Sequence, residues 1–250
     1  MSRFFSKSLP RVAMGVLVVL IGQTGQTGAA RTLTGEPEPA TWTVALRPGP
    51  EGGYVFEGAA GELRVTKQVK RAGEMKVAIT DGASTITLDA NTQAATVSAH
   101  GRSVTFTVAT ANEESFKAMQ ALIQGSAAAR KFHASLSREL ERGQRKLHPD
   151  LAITHALLRT LEGDSSAVRS LPRQLLGGAL SPIRTVGFSP GCFDTWEAEV
   201  VRAWDDYVAC HAELAGVIRA GLRPMCGWRY LLWVESAWFS FLSCSALRVM

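Results

Sequence analysis

Four cysteines and one carboxylate carry the clearest chemical signal. Cys192 and Cys210 are 18 residues apart, and so are Cys226 and Cys244. On a regular helix that interval is about five turns, so each pair shares a face but stands about 27 Å apart along the axis. Bridged cysteines need Cα atoms within about 7 Å of one another, so neither pair can close on itself if both segments are helical. Folding the chain back near position 218 instead sets Cys210 beside Cys226 and Cys192 beside Cys244. The predicted result is an antiparallel α-hairpin clamped by two nested disulfides. A zinc site would draw its cysteines from short knuckle spacings, and a redox pair from CxxC; neither pattern occurs.

Glu235 lies midway between Cys226 and Cys244 in a segment, Trp228 to Leu247, that is apolar almost all the way round. Its spacing from both cysteines turns it away from the disulfides, among Leu231, Trp238, Phe239 and Leu242. A lone carboxylate in such company is costly without a partner, so Glu235 is the candidate functional or buried charge. It is expected to pair with an arginine from residues 130 to 173 or to lie at an exposed rim. A helix hydrophobic on both sides is covered on both sides, and Trp228, Trp238 and Phe239 are the candidate surface for a partner. The central acid, the aromatics and the flanking cysteines argue for a core position over membrane insertion.

Other patterns carry less. Gly187-Phe188-Ser189-Pro190-Gly191 spells the nucleophile-elbow string, but the elbow uses the N–H after the nucleophile as an oxyanion donor, and Pro190 has none. His148-Pro149-Asp150 resembles the tripeptide of the J-domain co-chaperone family, which implies a chaperone partner. The aromatic opening helix and the basic residue after the aspartate that accompany the motif in that family are absent, and the tripeptide reads as a turn followed by an Asp150 helix cap. Gly163-Asp164-Ser165 reads as another helix start. His100, His133, His148, His155 and His211 include no i, i+4 metal-ligand pair. Glu197, Glu199, Asp205 and Asp206 suit a solvated helix face. No pattern points to a catalytic, metal or cofactor residue.

The elements that must position these groups follow from periodicity. From Tyr54 to Thr110 apolar residues alternate with polar ones (Leu63, Val65; Met75, Val77, Ile79; Ile86, Leu88; Ala95, Val97; Val104, Phe106, Val108), with turn residues between runs. That is an antiparallel meander with one apolar face, which helices must cover. Helical spacing begins after Asn112 and predicts helices over 112–125, 126–142, 150–161 and 165–176. The predicted class is α+β: an N-terminal antiparallel β-meander packed by helices, then the C-terminal α-hairpin. The divisions are 1–30 signal peptide, 31–52 a mobile leading segment rich in Pro and Gly, 53–111 sheet, 112–187 helices and 188–250 hairpin.

Compartment and charge narrow the function. Arg3, Lys7 and Arg11 precede the apolar run Val12 to Ile21 and the small residues Gly28 to Ala30. That order is expected of a secretory signal peptide, which predicts a secreted or periplasmic location where disulfides persist. Of the 27 Lys and Arg in the 250 residues, three fall in that leader, leaving 24 against 22 acids. So nearly balanced a charge gives no field for nucleic acid. The expectation is a non-catalytic binding or structural module, meeting a protein or other envelope macromolecule through the sheet's open face or the Trp-rich hairpin. The competing readings are a hydrolase whose site is assembled from sequence-distant residues and a carrier of an apolar ligand.

Overall fold

The computed structural model describes residues 42–70, 74–141, 147–176, 190–215 and 222–246. Seven strands form one sheet: β1 (Thr43–Pro48), β2 (Tyr54–Ala60), β3 (Leu63–Val69), β4 (Met75–Thr80), β5 (Thr85–Ala90), β6 (Ala94–Ala99) and β7 (Arg102–Thr107). They lie in sequence order, each antiparallel to its neighbours. The helices are α1 (Glu113–Gly125), α2 (Ala127–Glu141), α3 (Pro149–Leu161), α4 (Ser166–Leu176), α5 (Pro190–Ala215) and α6 (Arg223–Ala246). The α+β class and the meander stand as the periodicity predicted. The putting of Thr43–Pro48 in a mobile leading segment is corrected, because this run pairs along its whole length with β2.

Register puts most of the buried strand side chains on one face, with Val55, buried between Tyr54 and Phe56, on the other. Val65 stands opposite Ile79, Val77 opposite Leu88, and Val97 opposite Val104. The reverse face is hydroxyl-rich, with Thr96 paired to Thr105 at 2.8 Å and Ser98 to Ser103 at 2.7 Å. On the apolar face α2 lies against β3 to β5 and α1 against β6 and β7. Asn112 caps α1, accepting from Ser115 N at 2.8 Å while Ser115 Oγ returns a contact to the Asn112 backbone.

Helix α3 is buried at 12 of its 13 positions, so it is the central rod of the helical half. It packs on α1, α2, α4 and α6. Its meeting with α6 depends on Gly227: a Cβ there would come within 2.5 Å of Thr160 Cγ2. Helices α5 and α6 form the predicted hairpin, joined by Cys192–Cys244 and Cys210–Cys226, each with Cα atoms 5.9 Å apart. Helix α5 starts at Pro190, ahead of the Thr195 where the Pro- and Gly-free run begins. The hairpin connection around position 218 lies outside the described residues, as does the predicted signal peptide. Among the described residues no helix is long and apolar enough to cross a membrane.

Candidate functional site

Alternation in β2 and β3 turns Tyr54 and Lys67 to the same face as Phe56, Val65 and Val69, under the helices. Lys67 sits directly opposite Phe56 on one side and Val77 on the other, and its side chain is 0% exposed. A buried ammonium requires anions. Two reach it. Asp150 Oδ1 lies 2.8 Å from Lys67 Nζ, and Glu235 Oε2 closes on the same nitrogen. The expected arginine partner of Glu235 is thus corrected to Lys67. The sheet already holds a cation against the reverse face of α6, so no arginine from the middle helices is needed.

Tyr54 and Trp238 complete the cluster. The Tyr54 hydroxyl is 2.6 Å from Asp150 Oδ1 and also meets Glu235 Oε1, and the Trp238 indole N–H donates to Asp150 Oδ2 at 3.0 Å. Asp150 is not the cap of α3, as the sequence predicted. His148 takes that place, its Nδ1 accepting from the Asp150 backbone N–H. This frees the Asp150 carboxylate to turn inward, at the positive end of the helix, where negative charge is favoured. His148 stacks on Phe56 at 5.0 Å and meets Trp238 edge-on.

Burial and charge divide the protonation states. Burial alone would raise Asp150, but the charges of Lys67 and His148 and the hydrogen bonds from Lys67 and Tyr54 outweigh it and hold this carboxyl below its ordinary value. Burial pushes Glu235 up; Lys67 opposes it, and the neighbouring Asp150 charge adds to it. Burial would lower Lys67, yet the two carboxylates raise it. Tyr54 is driven well above its ordinary value by burial and both acids. Burial pushes His148 down.

No protein-family model, curated protein or solved structure matches this chain. What the site can do therefore rests on its geometry. Tyr54, Lys67, Asp150, Glu235 and Trp238 are all buried, and His148, with 20% of its side chain exposed, is the member nearest solvent. None of the six lines the surface cavities of about 390, 1000 and 290 Å³. A substrate has no approach to the cluster from any of these. Its chemistry is that of a buried proton and charge network joining sheet, α3 and hairpin.

The candidate partner surface separates on inspection. Trp228 and Trp238 are buried at 0% and 1% exposure, against Phe106 and against Trp196 respectively, so they are corrected from surface to core. Phe239 is half-buried and stacks on Tyr54. Among the described residues the large aromatic that is exposed is Trp233, at 39%, with the Arg202 guanidinium 5.5 Å from its ring centre. Trp233 borders the 1000 Å³ cavity, a half-open groove between the hairpin and the β5–β7 end of the sheet, together with Val108, Gln93, Asp206 and Arg229. Gly187 to Ser189 of the elbow string lie outside the described residues.

Lys67 and Tyr54 were the residues that sequence reasoning missed. Their signal was present: both fall in phase with the apolar positions of their strands, where a lysine is out of place.

Proposed function

We propose that this protein acts in an oxidising compartment as a non-catalytic binding module whose partner seats in the groove between the α-hairpin and the β5–β7 end of the sheet. The observation that carries this reading is the groove itself. About 1000 Å³ of half-open space is bordered by exposed Trp233 and Val108, while the ionisable cluster lies buried and lines none of that space. Exposed aromatic area beside adaptable polar groups is the usual anchor of protein recognition. Two closed disulfides agree with a secreted or periplasmic site of action.

Charge narrows the partner. Asp206 and Glu213 border the groove against Arg229, and over its described length α5 carries Asp194, Glu197, Glu199, Asp205, Asp206 and Glu213 against Arg202 alone. A polypeptide segment presenting apolar residues beside Lys or Arg complements that surface, with the charges governing encounter rate. A photo-reactive amino acid placed at Trp233 or Val108 in the native compartment is expected to cross-link to a polypeptide, whereas one at Thr66 on the sheet's far face is not. Reversing Asp206 and Glu213 to Lys should weaken that cross-link. Exported, oxidised protein giving no adduct from either groove position overturns the reading.

A further inference from the structure

The buried cluster has too few protons for its contacts if both acids are ionised. The Tyr54 oxygen stands within hydrogen-bonding reach of Asp150 Oδ1 and of Glu235 Oε1, and a phenol has one hydrogen to give. With two carboxylates, one of those contacts would set lone pairs against lone pairs in a dry interior, and the cluster would hold one cation against two anions. A single extra proton on a carboxyl cures both faults.

Geometry decides which acid carries it. Asp150 receives Lys67, Tyr54 and the Trp238 N–H, and sits in the first turn of α3. Each of these favours its ionised form. Glu235 lies in the body of α6, far from either helix end, and among the described residues receives only Lys67 besides the tyrosine. We propose that Glu235 is kept as a neutral carboxylic acid whose O–H donates to the Tyr54 oxygen, and that this proton is the catch fastening the disulfide-clamped hairpin to the sheet. The chain of donors then runs from Glu235 to Tyr54 to Asp150, with Lys67 bridging the two carboxyls, and every polar atom named has a partner of the right kind.

Removing the proton breaks one contact and leaves a net buried negative charge at the meeting of β2, β3, α3 and α6. The titratable groups facing Glu235 there are Lys67 from β3, Tyr54 from β2 and Asp150 from α3, with His148 behind Asp150. Burial holds the Glu235 carboxyl above its ordinary value near 4.5. The folded chain therefore keeps a proton that the unfolded chain gives up. This contribution to stability is complete below the ordinary carboxylate range and is lost as pH rises through the raised value. Alkali loosens α6 from β2 and β3 while the disulfides keep the hairpin itself intact.

Two measurements test this on the full oxidised chain. Carbon NMR of side-chain-labelled glutamate, with the Glu235 signal assigned by its loss in Glu235→Gln, should show an un-ionised carboxyl at neutral pH that titrates on the alkaline side. A Glu235 signal already ionised at neutral pH overturns the proposal. Separately, Glu235→Gln keeps the shape of the neutral acid: its amide donates to Tyr54 and its carbonyl accepts from Lys67. Its Tm at neutral pH should match or exceed that of the parent, and the alkaline fall in amide protection across α6, β2 and β3 should vanish. A sharp drop in Tm at neutral pH would mean that Lys67 needs the Glu235 charge, which also overturns it. Neither readout depends on the groove having a partner.

Discussion

Helix α3 touches two buried polar clusters, and they are built on opposite terms. At its start, Asp150 closes a network with Lys67, Tyr54, Glu235 and Trp238 in which the charges have partners. Further along, His155 lies 5.1 Å from the His133 ring, and His133 Nε2 is 3.5 Å from Glu162 Oε1. Three of their ring nitrogens, both of His133 and Nε2 of His155, are buried without a hydrogen bond. The first cluster is stable because its charges are paired; in the second, burial disfavours the charged form of His155. It follows that adding protons should harm the second far sooner than the first, and that removing a partner should harm the first far more than the second.

The largest effect is expected from Asp150→Asn. The substitution leaves the fully buried Lys67 without its ionised partner, and breaking a buried pair from one side costs about 3 to 5 kcal/mol. Chemical denaturation should show a loss of that size at neutral pH, in contrast to the mild effect expected at Glu235. Equal losses for Asp150→Asn and Glu235→Gln would erase the distinction between the two acids. Below the ordinary aspartate value of 3.8 the difference should shrink, because the depressed Asp150 carboxyl loses its contribution as pH falls.

The second effect lies at the histidines. Burial first, then the charges of His133 and Arg159, push His155 down to about 3. The folded chain binds this proton more weakly than the unfolded chain, so the contribution is whole above the ordinary histidine value of 6.5 and is lost progressively as pH falls toward 3. By pH 5 that amounts to about 2 kcal/mol. His155→Phe, which keeps a ring against Phe132 and His133, should raise Tm at pH 5 more than at neutral pH. The acid slope should be reduced and not abolished, because burial holds His148 down as well. An unchanged slope would show that His155 is not buried as a neutral ring.

What the sequence disclosed and what it withheld follow the same division. Period two placed β3 to β7, and the spacing of 18 residues gave both disulfides, because each is a local geometric rule: alternation across a strand, whole turns along a helix. Glu235 was conspicuous as one acid on an apolar helix. Its partner was not, since Lys67 is 168 residues away and periodicity reports which face a residue takes without naming what crosses to meet it. Asp150 was read as a cap because Asp before a helical run usually is one; the pairing that turns it inward exists only once β3 and α6 are in place. Trp228 and Trp238 illustrate the converse error. An apolar reverse face of α6 could meet the sheet, the middle helices or another molecule; Trp228 and Trp238 were offered to a partner, and the fold's own sheet and helices bury them.

The smallest effect sharpens the comparison by repeating the chemistry of the first cluster in water. Arg47 on β1 and Glu57 on β2 approach to 2.5 Å, with side chains 61% and 48% exposed. Here solvent screens the attraction and already satisfies each ion, so the pair gains little and its loss strands nothing. Glu57→Gln should shift stability by no more than about 0.5 kcal/mol, and added salt should make parent and variant indistinguishable in denaturant unfolding. Asp150→Asn should keep most of its penalty in the same salt, because ions do not reach Lys67. A surface variant that cost as much as the buried one would mean that proximity of charge, and not burial without a partner, sets the energy of both.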